Sequence, residues 1–263
     1  MLNAYSEHMD EILPGENDAR RLAVRQWIAE HPEPSARLLA ESGLVAPHWP
    51  EPYGLGADPV HQLIIDEELS AARIRRPSNQ IGIGWAAPTI IFAGTQEQKD
   101  RYVIPALAAE EIWCQLFSEP GAGSDLASLG TRAVRDGDEW VLNGMKRWNS
   151  GLHHATHDII FARTSGKPGD PVGITAFLVP TNSPGFKVEF FWWTFNMPTD
   201  HAEVSMKDVR VGADAVFGRV DHGLELAQHF VHENRIRQAA SSLGAAQFCI
   251  NEAVKYSNSR VTW

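Results

Sequence analysis

The 263-residue chain has only two cysteines, Cys114 and Cys249, far apart and each in apolar company. That scarcity offers no disulfide framework and points to a reduced compartment, with both thiols as small core residues. Bases are also in deficit: 23 lysines and arginines stand against 33 acids, a formal net charge of -10. A general nucleic-acid binder needs a basic face to neutralise phosphates, so that class is excluded, whereas a local basic pocket for one phosphorylated ligand is not. The opening residues, MLNAYSEHMDEILPG, lack the basic and apolar regions of a secretory leader and contain no arginine, which speaks against a mitochondrial presequence. No apolar run reaches transmembrane length. These absences predict a cytoplasmic protein without an integral membrane segment.

What is present is a globular composition, 43% hydrophobic and 21% charged, in a chain long enough for one large domain or two ordinary ones. The pattern divides it into three. Over 1–111 it is helical. Asn17 or Asp18 is a capping candidate, and Ala19, Leu22, Ala23 and Trp27 follow at helical spacing until Pro32 and Pro34. A second helix carries Leu63, Ile64, Glu67, Glu68 and Leu69, and a third piece runs from Trp85 to Phe92. A fourth begins at Thr95, with Gln98 at the capping-box position.

Over 112–219 the period shortens. Asp136-Gly137 and Asn143-Gly144 are hairpin signals between short strand-like runs, and DIIFAR, GITAFLVP, VEFFWWTF and AEVSMKDVRV are of strand length. This predicts an antiparallel β domain, a small barrel or sandwich. Over 220–263 the chain is helical again, with Ile236, Ala239, Ala240, Leu243, Ile250 and Val254 on one apolar face. Such a stripe needs a cover, so the chain is expected either to be truncated or to require another polypeptide there. The fold class is therefore multidomain α+β: an N-terminal helical domain, a middle β domain and the start of a C-terminal helical bundle.

Several stretches could carry chemistry. In LFSEPGAGSDLAS, Leu116 to Ser128, Gly121 and Gly123 would let backbone N–H groups approach an anion or a cofactor edge, and Ser124 or Asp125 could cap a turn. Leu126 occupies the third-glycine position of a dinucleotide fingerprint and no lysine follows the glycines, so neither phosphate loop is formed. On these residues alone, a surface turn with a helix cap is the favoured reading. His153, His154 and His157 would make a metal pair only on a helix, and the flanking pattern is not helical, so no metal site is expected. Trp148 beside Ser150 could stack on a planar ring and donate to it, or simply pack in a core. Phe190 to Trp193 reads as core or subunit interface.

Taken in order, GTQEQKDRYVIPALAAEE, FSEPGAGSDLAS, DEWVLNGMKRWNSG, MKDVRV and NRIRQAASSLGAAQFCINEAVKYSNSR resemble the acyl-CoA dehydrogenase family along nearly the whole chain. The resemblance implies an FAD-dependent α,β-dehydrogenation of an acyl-CoA thioester. A carboxylate takes the α-proton, flavin N5 takes the β-hydride, and an electron-transferring flavoprotein drains the electrons. It implies flavin contacts from Gln115, Phe117, Ser118, Gly123, Ser124, Trp148, Asn149 and Ser150, with Ser150 toward N5. It implies acyl-CoA contacts from Ser124, Asn234 and Arg235, and a homo-oligomer, tetramer or dimer.

The sequence also departs from the family. The base in most members lies beyond Trp263; in some it directly precedes the helix arginine, where this chain has Asn234. Glu233 is about 100° away around a helix, so no residue of the chain is assigned as base. Leu116 and Phe117 are bulkier than usual at the flavin edge, and His232 stands where some members have Asp. Two alternatives follow: an acyl-CoA oxidase or flavin monooxygenase-like member, or a non-catalytic partner subunit of a heteromeric flavoenzyme.

Overall fold

The computed structural model describes residues 14–194 and 197–262. The Met1–Leu13 stretch, Phe195 at the end of a predicted strand, and the side chain of Glu233 lie outside the described residues. Five helices come first: α1 (Ala19–Glu30), α2 (Ala36–Glu41), α3 (Pro59–Ala71), α4 (Ala87–Ala93) and α5 (Gln96–Leu107). Their starts are written locally. Asp18, Ser35, Asp58 and Thr95 each accept a backbone N–H of the first turn, and Thr95 with Gln98 forms the full capping box.

The inward face of α1 is not the predicted one. Leu22 is 49% exposed, while Arg21 and Val24 are buried. Arg21 donates to Glu68 at 2.5 Å and Glu67 at 2.7 Å on α3, and Arg25 reaches Glu68 at 2.7 Å. An ion-pair network, invisible to a hydrophobic period, therefore sets the rotation of this helix.

Between α3 and α4 the chain makes a π-turn over Gly82–Ala86. Asn79 holds it. Its Oδ1 accepts from the N–H groups of Gly82 (3.2 Å) and Trp113 (3.3 Å), and its Nδ2 donates to the carbonyls of Ala106 and Glu111, both at 2.8 Å. One buried amide thus ties the π-turn to the end of α5 and to the first strand. Gly82 is required there, since a Cβ would lie 2.1 Å from Asn79 Nδ2.

Eight strands form one sheet: β1 (Trp113–Leu116), β2 (Arg132–Asp136), β3 (Glu139–Ser150), β4 (His157–Arg163), β5 (Ile174–Pro180), β6 (Phe186–Thr194), β7 (Met197–Gly212) and β8 (Val216–Phe217). The order is β6-β7-β3-β2-β4-β5-β8, with β1 beside β4. Pairing is mainly antiparallel, but β1 and β2 meet β4 in parallel, a departure from the wholly antiparallel expectation. Asp136-Gly137 does open a hairpin, β2 to β3. Asn143-Gly144 does not: it lies inside β3 at a register shift. Asn143 exchanges hydrogen bonds with Asp208 of β7 (2.9 and 3.1 Å), and a Cβ at Gly144 would strike Thr131. Cross-strand pairing overrides the local turn signal.

Strand β4 is buried throughout. Ile159 and Phe161 join a core shared with the helices, while Ile160 and Ala162 join a second core within the sheet. Asp158 shares the face of Ile160. It is fully buried, no N–H or O–H of the described residues donates to either oxygen, and the thiol of its register partner Cys114 is the polar group beside it. Burial pushes its pKa well above 3.8 despite that thiol. A raised carboxyl pKa means stability complete below 3.8 and progressively lost as pH rises toward the folded value. Asp158→Asn is thus expected to be neutral in strong acid and stabilising at neutral pH; urea unfolding at both pH values checks the pattern.

The last helix, α6 (Gly223–Ser259), buries Leu226, Ala227 and Phe230 near its start. Beyond Arg235 the helix is exposed, and the predicted stripe is bare: Ile236, Leu243, Ile250 and Val254 are each more than half exposed. Cys249 lies here too, exposed rather than in a core as expected, whereas Cys114 is buried. Among the described residues, no helix is long and apolar enough to cross a membrane.

Candidate functional site

Strand β1 delivers Gln115 and then Phe117 and Ser118 to one side of a cleft. The glycine-rich loop after them is stapled back onto the sheet. Glu119 and Ala122 bridge each other, and the Ser118 carbonyl accepts from Arg147 N–H at 2.9 Å. The Glu119 carboxylate accepts from Gly130 N–H (2.6 Å), Thr131 N–H (3.0 Å) and Lys146 Nζ (2.8 Å). Lys146, fully buried, also donates to the Phe117 carbonyl at 3.1 Å. Burial pulls the Lys146 pKa down, against the attraction of Glu119. Burial alone would raise Glu119, but the Lys146 charge and the surrounding donors hold it below 4.5.

Strand β3 supplies the next wall. Its register shifts between Lys146 and Asn149, and Trp148 sits in that bulge at φ 65°. A left-handed backbone is unusual for so bulky a residue and marks stored strain. The bulge turns the Trp148 ring outward against Trp192 (4.8 Å). The chain then recovers its pairing. Asn149 donates to the Ala202 carbonyl at 3.2 Å, and the Ser150 carbonyl accepts from Cys114 Sγ at 3.0 Å.

Helix α6 closes the third side with Phe230, Val231 and Asn234, which helical spacing puts on one face. Phe230 meets Trp85 of the π-turn at 4.8 Å and Phe117 at 6.0 Å, making an aromatic floor. The resulting cleft is about 250 Å³. It shares Ile81, Trp85, Ser150 and Asn234 with a wider recess of about 1170 Å³ that Gln80, His154, His201, Arg237 and Gln238 continue.

Seven predicted residues therefore come together: Gln115, Phe117, Ser118, Trp148, Asn149, Ser150 and Asn234. Gly123, Ser124 and Arg235 do not line the cleft. The Glu119–Ala122 turn carries Gly123 and Ser124 outward, where both are exposed and a Cβ on Gly123 meets no atom of the chain. Arg235 is one residue round the helix from Asn234 and exposed, as is His232. The three histidines are separated: His157 is buried in β4 between Tyr102 and Trp113, while His153 and His154 stay on the preceding turn. The aromatic strand divides, with Trp192 packed on Trp148 and Phe190, and Trp193 69% exposed.

Ile81, Trp85, Phe230 and Val231 were not expected at the site. Counting three and four residues back from Asn234 would have found Phe230 and Val231. Nothing in the sequence marked a π-turn at Gly82.

A profile of the acyl-CoA dehydrogenase N-terminal domain matches residues 12–111, and one of the middle domain of the same enzymes matches 114–209. The chain belongs to the acyl-CoA dehydrogenase family. It is 44% identical over 216 residues to acyl-CoA dehydrogenase FadE34 of Mycobacterium tuberculosis, covering 82% of this chain and 30% of that protein. Its fold is similar to the ChsE4-ChsE5 complex of M. tuberculosis, with TM-score 0.64 and 31% identity over 83% of this chain and 60% of that one. It is similar also to the Tcur3481-Tcur3483 steroid acyl-CoA dehydrogenase variant G363A, with TM-score 0.69 and 28% identity over 98% of this chain and 69% of that one. The chain spans less than a third of the length of FadE34.

Members of the family are flavoproteins, and the cleft fits such a group. Trp148, Phe117 and Trp85 offer ring faces, and among them Gln115 Oε1 and Asn234 Oδ1 are buried without a hydrogen-bond partner among the described residues. A planar ring system with a polar edge would satisfy both. The strain at Trp148 allows a separation of stability from binding. Trp148→Gly removes the ring but relaxes the left-handed backbone. Stability is then expected within about 1 kcal/mol of the parent, while FAD affinity falls; denaturation and flavin titration read the two independently.

Proposed function

We propose that this chain forms the FAD- and thioester-binding part of an acyl-CoA dehydrogenase that removes hydrogens from the α and β carbons of an acyl-CoA. The carrying observation is the convergence of Phe117, Ser118, Trp148, Ser150 and Asn234 on one aromatic-floored cleft. FAD, when bound, accepts the two electrons and the β-hydrogen; an electron-transferring flavoprotein is the expected acceptor in turn. The chain's own residues do the rest. Phe117 and Trp148 set the plane of the cleft, Ser118 and Ser150 supply polar contacts, and Lys146 with Glu119 keeps the Ser118 loop in place.

None of the described residues lining the two recesses is a carboxylate. The proton-accepting group is accordingly proposed to come from outside these residues. A second reading is favoured by Asn234, which occupies the cleft face: the chain would be the non-catalytic partner of a base-bearing subunit. Its likeness to ChsE4-ChsE5, a complex of two differently named chains, supports that arrangement.

Anaerobic titration of the purified protein with FAD and a series of acyl-CoAs tests the proposal. Flavin bound at one equivalent and perturbed spectrally by a thioester is expected. Failure to bind flavin, with or without thioester, would remove both readings. Bleaching only after a second, base-bearing chain is added would select the partner-subunit reading.

A further inference from the structure

On the face of β1 opposite Gln115, three buried groups meet across β4, β1 and β3. Cys114 of β1 and Asp158 of β4 are parallel register partners, and both are fully buried. The Cys114 Sγ donates to the Ser150 carbonyl of β3 at 3.0 Å. The same thiol lies beside the Asp158 carboxyl, whose two oxygens have no other hydrogen-bond partner among the described residues. The surroundings are apolar. Val179, the β5 register partner of Asp158, belongs with Leu116, Leu152 and Ile160 to the core within the sheet. The nearby histidines are engaged elsewhere: His157 packs on Tyr102 and Trp113, and His201 lines the wide recess.

One S–H holds one proton, so the thiol can serve the carbonyl or the carboxyl but not both. A carboxylate here would claim it as the stronger acceptor and would still be short of donors. A neutral carboxyl resolves the conflict. Its O–H donates to Sγ, and the thiol keeps its own proton on the Ser150 carbonyl. Burial favours that neutral form. Ser150 has need of such a hold: it is the last residue of β3, pairs with His201 of β7 on one side, and precedes Gly151 in a left-handed turn at φ 76°.

We infer that Asp158, Cys114 and Ser150 form a buried relay, carboxyl O–H to thiol to carbonyl, through which Cys114 acts as a positioning residue for the Ser150 edge of the flavin cleft. The positioning role rests on the proposed FAD cleft; the relay itself does not.

Two measurements test these parts separately. Cys249→Ser leaves Cys114 as the single thiol of the chain, so the infrared S–H stretch of that variant reports Cys114 directly. Without flavin at neutral pH, a protonated-carboxyl band is expected that disappears when Asp158→Asn is added. The S–H band is expected to move in the same variant, because an amide N–H replaces the O–H donor. FAD titration of the full chain, followed by flavin absorption, reads the positioning. Cys114→Ala is expected to weaken FAD by about three- to tenfold, the worth of one neutral hydrogen bond, and to shift the visible flavin spectrum. Cys114→Val serves as a second variant without a donor should the alanine variant fail to fold. Cys114→Ser, which keeps a donor, is expected to bind within about twofold of the parent. Parent-like FAD affinity in the donor-free variants, or a serine variant as weak as they are, would overturn the positioning role. No carboxyl band lost and an unmoved S–H band in Asp158→Asn would overturn the relay. A parent chain that binds no FAD counts against the cleft, and the infrared result then decides the relay by itself.

Discussion

Glu119→Ala is expected to destabilise the protein by about 3–5 kcal/mol, because it leaves the Lys146 ammonium buried with no opposing charge. Only the Phe117 carbonyl would remain to it. The reverse change, Lys146→Met, is expected to cost less, about 1–3 kcal/mol, since Glu119 keeps the N–H groups of Gly130 and Thr131. The double variant Glu119→Leu with Lys146→Met should be more stable than Glu119→Ala, as no buried charge is left. Equilibrium unfolding in urea ranks the three; a Lys146 variant worse than the Glu119 variant would contradict the asymmetry. The pair also predicts acid sensitivity. The Glu119 pKa is depressed in the fold, so its contribution is complete above 4.5 and is lost as pH falls below that value toward the folded pKa. Because Glu119 anchors the loop after Ser118, flavin affinity is expected to fall with the same variants.

Asn234→Glu is expected to raise dehydrogenation by the flavin-loaded chain by roughly a hundredfold or more, the usual range for a placed general base. Asn234 faces both recesses, its Oδ1 is buried without a partner among the described residues, and no described carboxylate lines either recess. A carboxylate in that position loses water against Trp85, Phe230 and Val231, which raises its pKa toward that of a useful base. Asn234→Gln is the control, matching size without basicity. Stopped-flow flavin reduction by an acyl-CoA measures the rate. Equal rates for the Glu and Gln variants, with thioester binding intact, would show that position 234 does not face the α-carbon. An increase seen in the isolated chain but not with a base-bearing subunit present would identify the missing group as the partner's.

Much of the architecture was legible because it is written in local chemistry. Asp18, Thr95 and Gln98 mark helix starts through side-chain to backbone hydrogen bonds that need no distant partner. The order of the motifs likewise brought Phe117, Ser118, Trp148 and Ser150 to notice together. Elsewhere local rules failed where a remote group intervened. Asn143-Gly144 has the composition of a turn, yet Asp208 and Thr131 hold it inside β3. The apolar period of α1 pointed to Leu22, yet Glu68 draws Arg21 inward instead.

By itself, then, the sequence determined the helical and β regions, the caps, the family and most residues around the cleft, since each depends on neighbours a few positions away or on motifs read in order. Only the tertiary structure decided which side chains face one another. It stapled the glycine-rich loop with the buried Lys146 and turned Ser124 and Arg235 away from the cleft. It also brought Trp85 and Arg237 to the site from segments about 150 residues apart. Those outcomes rest on through-space hydrogen bonds, ion pairs and packing, whose partners have no fixed separation along the chain.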